Sequence, residues 1–253
     1  MIKLVIRNLF LMPFIVCSLA SCEMFHLDNY DKPNASFSGG IRDIVTNELV
    51  ETDVLNGSSL RLQEIGYPVG LLTRIVKQNG EFCDSQFFAG KYSIDFYSCN
   101  FYPFFVDEVV IKKGDNTMDF KVTPYIRVRN VNIRKEGNAI VATFNLQAGK
   151  DEVRLSNVRI YASNDIYVGE PFTVFTPAGS EAIQTFSPAK VIDETETYTL
   201  KIDLTNTTNS DFLYKYSTPR NFYFRIGAMA SVSGVGTIRR NYAPYTVIQL
   251  AKP

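Results

Sequence analysis

The fold class is decided by the stretch Phe222-Tyr223-Phe224-Arg225-Ile226-Gly227-Ala228-Met229-Ala230, where apolar residues recur at every second position from Phe222 to Ala230. A period of two places alternate side chains on opposite faces of a β-strand, so one face is predicted to enter a core. Shorter runs of the same period are Tyr92/Ile94/Phe96, Met118/Phe120/Val122, Ile140/Ala142/Phe144/Leu146 and Tyr198/Leu200/Ile202/Leu204. No stretch carries a helical stripe long enough for a core helix. We therefore predict an all-β body of antiparallel sandwich sheets.

The body is predicted to divide near Val122-Thr123-Pro124-Tyr125, because proline cannot continue a central strand and complete strands lie on either side. The two parts, residues 35–124 and 125–253, both have ordinary sandwich sizes. The prediction is two antiparallel β-sandwich domains in tandem, the second of the immunoglobulin-like kind.

The N-terminus has the features of a bacterial lipoprotein signal. Lys3 and Arg7 precede an apolar run over 9–19, which is too short to span a membrane as a helix, and Leu19-Ala20-Ser21-Cys22 resembles a lipobox. Residues 1–21 are thus predicted to be removed and Cys22 to be lipidated, so that lipid holds the protein on a membrane. A plain signal peptide and a transmembrane anchor are the alternatives.

Residues 22–34 show no sustained period and several turn formers, which predicts a lipidated tether containing the single histidine, His26. Cys83 and Cys99 then remain as a pair in an oxidising compartment. A disulfide between them would close a loop of about 16 residues, worth roughly 3 kcal/mol of loop entropy. Two free thiols are the equal alternative.

Composition indicates no chemistry. Without residues 1–21 the chain has 24 basic and 26 acidic side chains and no long basic run, so no nucleic-acid partner is expected. One histidine and two distant cysteines form neither a triad nor a metal site, and no phosphate-binding or cofactor motif is present. Asp107-Glu108 and Asp151-Glu152 are read as solvated charges. We expect no catalytic residues, no metal and no cofactor.

An aromatic segment is the one candidate contact site. Nine of the nineteen residues from Phe87 to Phe105 are aromatic. The last four of them, Phe101, Tyr102, Phe104 and Phe105, are too crowded for one face of a strand. They are predicted either to pack between the two domains or to contact a partner or ligand, including a sugar.

Residues 35–123 resemble the carboxypeptidase-regulatory-like module, which has a transthyretin-like fold. The resemblance rests on Gly39-Gly40-Ile41-Arg42-Asp43, on the turn Thr46-Asn47-Glu48-Leu49-Val50, and on Gly90-Lys91-Tyr92-Ser93-Ile94. Asn47 stands where the module usually has glycine, and asparagine is a side chain that tolerates positive φ. The resemblance implies a transthyretin-like first domain.

The whole chain, with its lipobox, the segment Asp28-Asn29-Tyr30-Asp31-Lys32-Pro33-Asn34 before the first domain, and its second sandwich, resembles a family of two-domain lipoproteins. The members of this family come from Bacteroidota and are encoded among nutrient-uptake loci. That resemblance implies a non-catalytic accessory of a Sus-type outer-membrane importer, acting by protein contact or by weak capture of a glycan or peptide ligand. It also implies a lipid-anchored protein of the outer membrane at the cell surface, with a periplasm-facing protein as the alternative. The alternatives are a surface glycan-binding protein and, less expected, a hydrolase with an unrecognised carboxylate pair.

Overall fold

The computed structural model describes residues 31–67, 70–175 and 181–251. Within these ranges the regular secondary structure is almost all β-strand, with one short helix, which confirms the all-β prediction. Residues Asn34–Pro253 form one compact unit. No helix in the described ranges has the length and apolar character needed to span a bilayer. The signal, the lipidation site Cys22 and His26 lie outside the described residues.

The first hydrophobic core lies between two sheets formed by residues 35–122. In chain order these strands are β1 (Ala35–Asp43), β2 (Ser59–Glu64), β3 (Leu72–Ile75), β4 (Glu81–Phe87), β5 (Gly90–Asp95), β6 (Ser98–Cys99), β7 (Phe105–Ile111), β8 (Gly114–Thr117) and β9 (Phe120–Val122). One sheet has the order β4-β1-β8 with β9 also on β1, and the other has the order β3-β2-β5-β7.

Strand β1 departs from the antiparallel expectation, because it pairs in parallel with β8 and then with β9. The change of partner occurs at Met118-Asp119, which separates these two strands. There the Met118 carbonyl oxygen comes so close to Gly39 that a Cβ would lie 1.8 Å from it, so only glycine fits. This interruption turns Met118 outward, where it is 39% exposed, and the prediction that it belongs to the core is wrong.

The second core lies between two further sheets, formed by residues 126–250. Their strands are β10 (Ile126–Glu136), β11 (Ala139–Ala148), β12 (Arg154–Ser163), β13 (Ile183–Val191), β14 (Tyr198–Asp203), β15 (Arg220–Ser231), β16 (Thr237–Ile238), β17 (Asn241–Tyr242) and β18 (Thr246–Leu250). The sheet orders are β10-β11-β14 and β13-β12-β15-β17, with β18 also on β15. Every apolar residue of the alternating runs at 140–146, 198–204 and 222–230 is buried in this core.

A short helix, α1 (Thr207–Tyr214), interrupts the otherwise all-β pattern between β14 and β15. The Asn206 side chain caps it by accepting a hydrogen bond from the Thr208 N–H. Leu213 enters the second core, and Phe212 packs against it. Eight residues present too few turns for a recognisable stripe, so the pattern at positions 207–214 did not indicate a helix.

Candidate functional site

The two sandwiches meet on the outer face of the β12–β15 sheet. Side chains on this face of β15 alternate with the core residues, and the sequence pattern predicted that they would contact water. Arg225 and Gly227 are instead buried. Gly227 has no side chain, and a Cβ there would come within 3.0 Å of Tyr161, Arg240 and Tyr242. These aromatic and basic side chains therefore pack directly over Gly227, on the side of the sheet that faces the first sandwich.

Arg225 is the largest fully buried side chain of the described residues, and all of its donor nitrogens are bonded. Nε donates to the Ala243 carbonyl at 2.7 Å, and Nη1 donates to the Thr52 and Val168 carbonyls at 2.8 and 3.3 Å. Nη2 donates to the Glu51 carboxylate and to the Gln78 carbonyl, at 2.5 and 3.2 Å. Three of these acceptors belong to the first sandwich, so one guanidinium joins both halves of the body.

The Glu51–Arg225 pair is held in a desolvated setting. Burial raises the pKa of Glu51 above its ordinary value, although the charge of Arg225 and its hydrogen bond oppose that shift. Burial likewise lowers the pKa of Arg225, against the attraction of Glu51. The guanidinium also lies 4.3 Å from the centroid of the Tyr242 ring, a cation–π contact.

A second buried ion pair joins the halves at Asp43 and Arg127. Arg127 donates to the Asp43 carboxylate from Nε and from Nη2, the latter at 2.8 Å. Burial on its own would raise the pKa of Asp43, but the hydrogen bonds from Arg127 and the Val45 N–H outweigh it, so the pKa lies below its ordinary value. This bidentate pair connects the end of β1 to the start of β10.

Asn100 completes the junction without a charge. Its Nδ2 donates to the Glu51 carbonyl at 2.7 Å and to the Arg240 carbonyl at 3.2 Å, and its Oδ1 accepts from the Ser58 hydroxyl. The Asn241 amide donates back to the Asn100 carbonyl at 2.8 Å. Short parallel pairing of β6 with β16 adds backbone bonds beside this residue. The side chain of Asn100 is thus fully hydrogen-bonded, as most buried polar groups are.

Between these contacts a cleft of about 590 Å³ opens, which we call the junction cleft. Its polar lining comes from Asp43, Thr46, Glu48, Glu51, Asn79, Arg127, Arg129, Asn130 and Asn241, and its apolar lining includes Leu49, Val131 and Pro244. One wall is the turn after β1, in which Asn47 has φ +62°, as the substitution of asparagine for glycine predicted. The other wall is β10, whose pairing register shifts between Arg129 and Asn132.

The β10 irregularity shapes the cleft. Asn130 sits in this bulge with φ +51°, a left-handed conformation that is uncommon for a residue with a side chain. Bulges re-aim side chains and recur beside binding sites. Here the bulge lies at the cleft wall, where Asn130 is exposed and Arg129 is partly exposed.

Cys83 and Cys99 are free thiols, so the alternative of two free thiols replaces that of a disulfide between them. Cys83 is exposed on β4, whereas Cys99 is buried on β6 and its Sγ approaches the Phe96 and Phe101 carbonyls at 3.4 and 3.0 Å. Burial raises the pKa of the Cys99 thiol to about 12, so it stays protonated and unreactive.

The aromatic segment is divided between core, junction and surface. Phe101 is fully buried in the first core, and Phe104 stacks on Phe96 with ring centroids 4.5 Å apart. Tyr102 packs on Tyr125 at the junction and donates its hydroxyl to Glu152 at 2.7 Å. Phe105 alone of the four is largely exposed, at 58%. Most of these crowded aromatic side chains therefore pack inside the molecule, and only Phe105 is left largely exposed.

The residues that build the junction cleft have almost no signal in the sequence pattern. Arg127, Arg129 and Arg225 all occupy strand positions that alternate with core residues, which is also where solvated charges occur. Only the Asn47 turn carried a signal, through its required positive φ. In the part of the chain that the structure describes, no three His, Cys, Asp or Glu side chains are grouped so as to hold a metal ion.

Comparison with known proteins gives the chain its relatives. The DUF3823_C family, a domain of unknown function, matches residues 126–245. A protein from Bacteroides uniformis ATCC 8492, provisionally described as a carbohydrate-binding protein, is 46% identical; the match covers 86% of this chain and 100% of that one, with a TM-score of 0.80. A search of curated proteins found no match.

Two solved structures of DUF3823 family proteins share the fold. The protein from Bacteroides ovatus ATCC 8483 is 22% identical, with a TM-score of 0.63 over 87% of this chain and 100% of that one. The protein from Parabacteroides merdae ATCC 43184 is 19% identical, with a TM-score of 0.65 over 86% of this chain and 100% of that one. The 46% identical relative and the family match over residues 126–245 show that the chain belongs to the DUF3823 family.

Proposed function

We propose that this protein is a non-catalytic carbohydrate-binding lipoprotein that takes a glycan into the junction cleft. The observation that carries the proposal is the 46% identity, over the whole length of the relative, to a protein provisionally described as carbohydrate-binding. The cleft supplies a place for such a ligand, because its volume of about 590 Å³ falls within the usual range of small-molecule sites, roughly 300–1,000 Å³.

The lining of the cleft suits a sugar. A pyranose presents hydroxyl groups that both donate and accept hydrogen bonds, together with apolar C–H faces. Glu48 can accept from hydroxyls, Arg129 can donate to them, and Asn130 can do either. Leu49 and Pro244 offer apolar surface. The rigid junction beneath holds these groups in place before the ligand arrives, which lowers the entropic cost of binding.

The absence of catalysis is part of the proposal. Two carboxylates at the cleft are each paired with an arginine: the buried Asp43 with Arg127, and the partly buried Glu51 with Arg225. A glycoside hydrolase needs one carboxyl group that holds a proton for the leaving group and a second that is free to act as nucleophile or base. Carboxylates committed in this way support a binding role.

The cellular location of the protein is also part of the proposal. Lipid on Cys22 would hold the protein at the outer membrane on the cell surface, where a captured glycan could be passed to a Sus-type importer. Purification of the native lipoprotein with its companions, followed by mass spectrometry, tests this part. Importer proteins should co-purify. Their absence would remove the accessory role while leaving glycan binding intact.

Glycan binding is tested with the mature protein on an array of immobilised plant, fungal and mucin oligosaccharides, followed by calorimetry with the strongest array ligand. Arg129→Ala and Glu48→Ala should each weaken binding by about 1 kcal/mol or more. Arg134→Ala is the matched control, because Arg134 is exposed on the same strand and outside the cleft lining. Wild-type protein that binds nothing on the array, or cleft variants that bind as well as the control, would overturn the proposal.

A further inference from the structure

Residues 164–174, which follow β12, form a loop that is hydrogen-bonded to the first sandwich. The Gln78 amide donates to the Ile166 carbonyl at 2.9 Å and accepts from the Val168 N–H at 3.0 Å. The Asp53 carboxylate accepts from the Glu170 N–H at 3.0 Å, and Val168 is buried. The Val174 N–H then donates to the Ala162 carbonyl, which returns the loop to its own strand. Its backbone is fixed from both halves of the body.

This fixed loop nevertheless presents two aromatic rings to solvent. Tyr167 is 53% exposed and Phe172 is 39% exposed, although aromatic side chains are usually buried when the surroundings allow it. Both line a groove of about 310 Å³, which we call the loop groove. Beside the two rings, its lining includes Ser163, Asn164 and Asp165.

The polar groups of the loop groove are oriented by local hydrogen bonds. Asp165 Oδ1 accepts from the Tyr167 N–H at 3.2 Å, and the Asp165 N–H donates to the Ser163 hydroxyl at 3.1 Å. Asn164 donates through Nδ2 to the Tyr216 hydroxyl at 3.1 Å. A carboxylate and an amide are thereby held beside two rings, and each keeps hydrogen-bonding capacity beyond these contacts.

We propose that the loop groove is a second carbohydrate contact, in which the apolar face of a pyranose stacks on Tyr167 or Phe172 while Asp165 and Asn164 bind its hydroxyls. The inference rests on the proposed function and adds a second site to it. Ring and carboxylate side by side suit a ligand that has an apolar face and a hydroxyl rim. A purely apolar partner would leave Asp165 desolvated without a new donor.

Single substitutions test the loop groove on the same oligosaccharide array, with calorimetry on the strongest array ligand. Tyr167→Ala and Phe172→Ala should each raise Kd at least about fivefold. Tyr167→Phe keeps the ring and should keep most of the binding. Tyr67→Ala is the control, because Tyr67 is an exposed tyrosine outside both sites. Melting temperatures should stay at the wild-type value, since the rings are exposed.

The outcomes separate the two proposals. In one outcome the wild-type protein binds array glycans, Arg129→Ala weakens that binding, and the two loop variants bind as well as wild type. This outcome overturns the proposal for the loop groove and supports the junction cleft. If the Tyr67→Ala control loses as much binding as the loop variants, the effect is unspecific and the loop groove is again overturned. If wild-type protein binds no array glycan, both proposals fall.

Discussion

Arg225 makes its five donor contacts with four backbone carbonyls and one carboxylate, in acceptors spread over both sandwiches. Such a set requires the planar fork of a guanidinium, since an ammonium group offers only three donors from one point. Its position within Phe222–Ala230 identifies which face of the strand it occupies. The alternation could not reveal that this face is covered by another part of the chain.

Replacing Arg225 should therefore destabilise the whole body. Arg225→Met leaves the Glu51 carboxylate buried without its partner, and breaking a buried pair in this way costs about 3 to 5 kcal/mol. Adding Glu51→Gln removes that stranded charge, so the double variant should recover part of the loss. Urea unfolding of the four proteins measures the coupling. If the stability losses of the two single variants simply add in the double variant, the interaction between Arg225 and Glu51 does not stabilise the protein.

Asp43 gives a pH-dependent prediction. Its pKa is lower in the folded state than in the unfolded chain, so its contribution to stability is complete at neutral pH and is lost as pH falls below about 4. Asp43→Asn should destabilise the protein at pH 7, and the difference from wild type should shrink as pH falls towards 3. Unfolding curves between pH 7 and pH 3 check this. A constant difference would mean that the charge on Asp43 is unimportant.

At the scale of single elements, strands with a long strict period were predictable. Ile140, Ala142, Phe144 and Leu146 enter the core as expected, because a two-residue period matches the geometry of a strand. The same period fails at Met118, where β1 exchanges one partner for another. Helix α1 was missed because its one buried leucine, Leu213, and partly buried Phe212 cannot establish a helical period.

In the aromatic segment, Phe101 is buried and Phe105 is exposed, so truncating the two side chains should have different effects on stability. Phe101→Ala should cost about 3 to 5 kcal/mol of folding stability, because that ring is fully buried and packs against Phe96 and Phe104. Phe105→Ala should change stability by no more than about 0.5 kcal/mol, since the ring is largely exposed. Chemical denaturation of both variants measures the two losses of unfolding free energy. Equal losses would contradict the assignment of Phe101 to the core and Phe105 to the surface.

At the scale of the whole molecule, the two cores are joined by polar contacts. Residues on both sides contribute to one network through Arg225, Asp43 and Asn100. Hydrophobic periodicity predicts cores, but it carries no information about which polar side chains meet between them. For this reason the sequence predicted the β-strands well and the junction cleft hardly at all. The site depends on contacts between residues that are far apart in the sequence, such as Glu51 and Arg225, which are 174 positions apart.

This network should make the two sandwiches unfold together. Separating them would strand several buried charges and amides, each of which costs free energy when it loses its partner. We expect one calorimetric transition for the wild-type body, with equal calorimetric and van't Hoff enthalpies. Two resolved transitions would show that the junction is too weak to couple the two cores.

Attachment to the membrane is predicted to depend on Cys22 alone among the cysteines of the mature chain. Acyl chains add about 0.8 kcal/mol of membrane affinity per buried CH₂, and two or more chains on one residue hold a protein stably. Cys22→Ala should therefore abolish labelling by a radioactive or clickable fatty acid and move the protein into the soluble fraction. Cys83→Ala is the matched control, because Cys83 is a free, exposed thiol on β4 and should leave labelling unchanged. If the Cys22→Ala protein remained in the membrane fraction at the wild-type level, anchoring by lipid at this residue would be disproved.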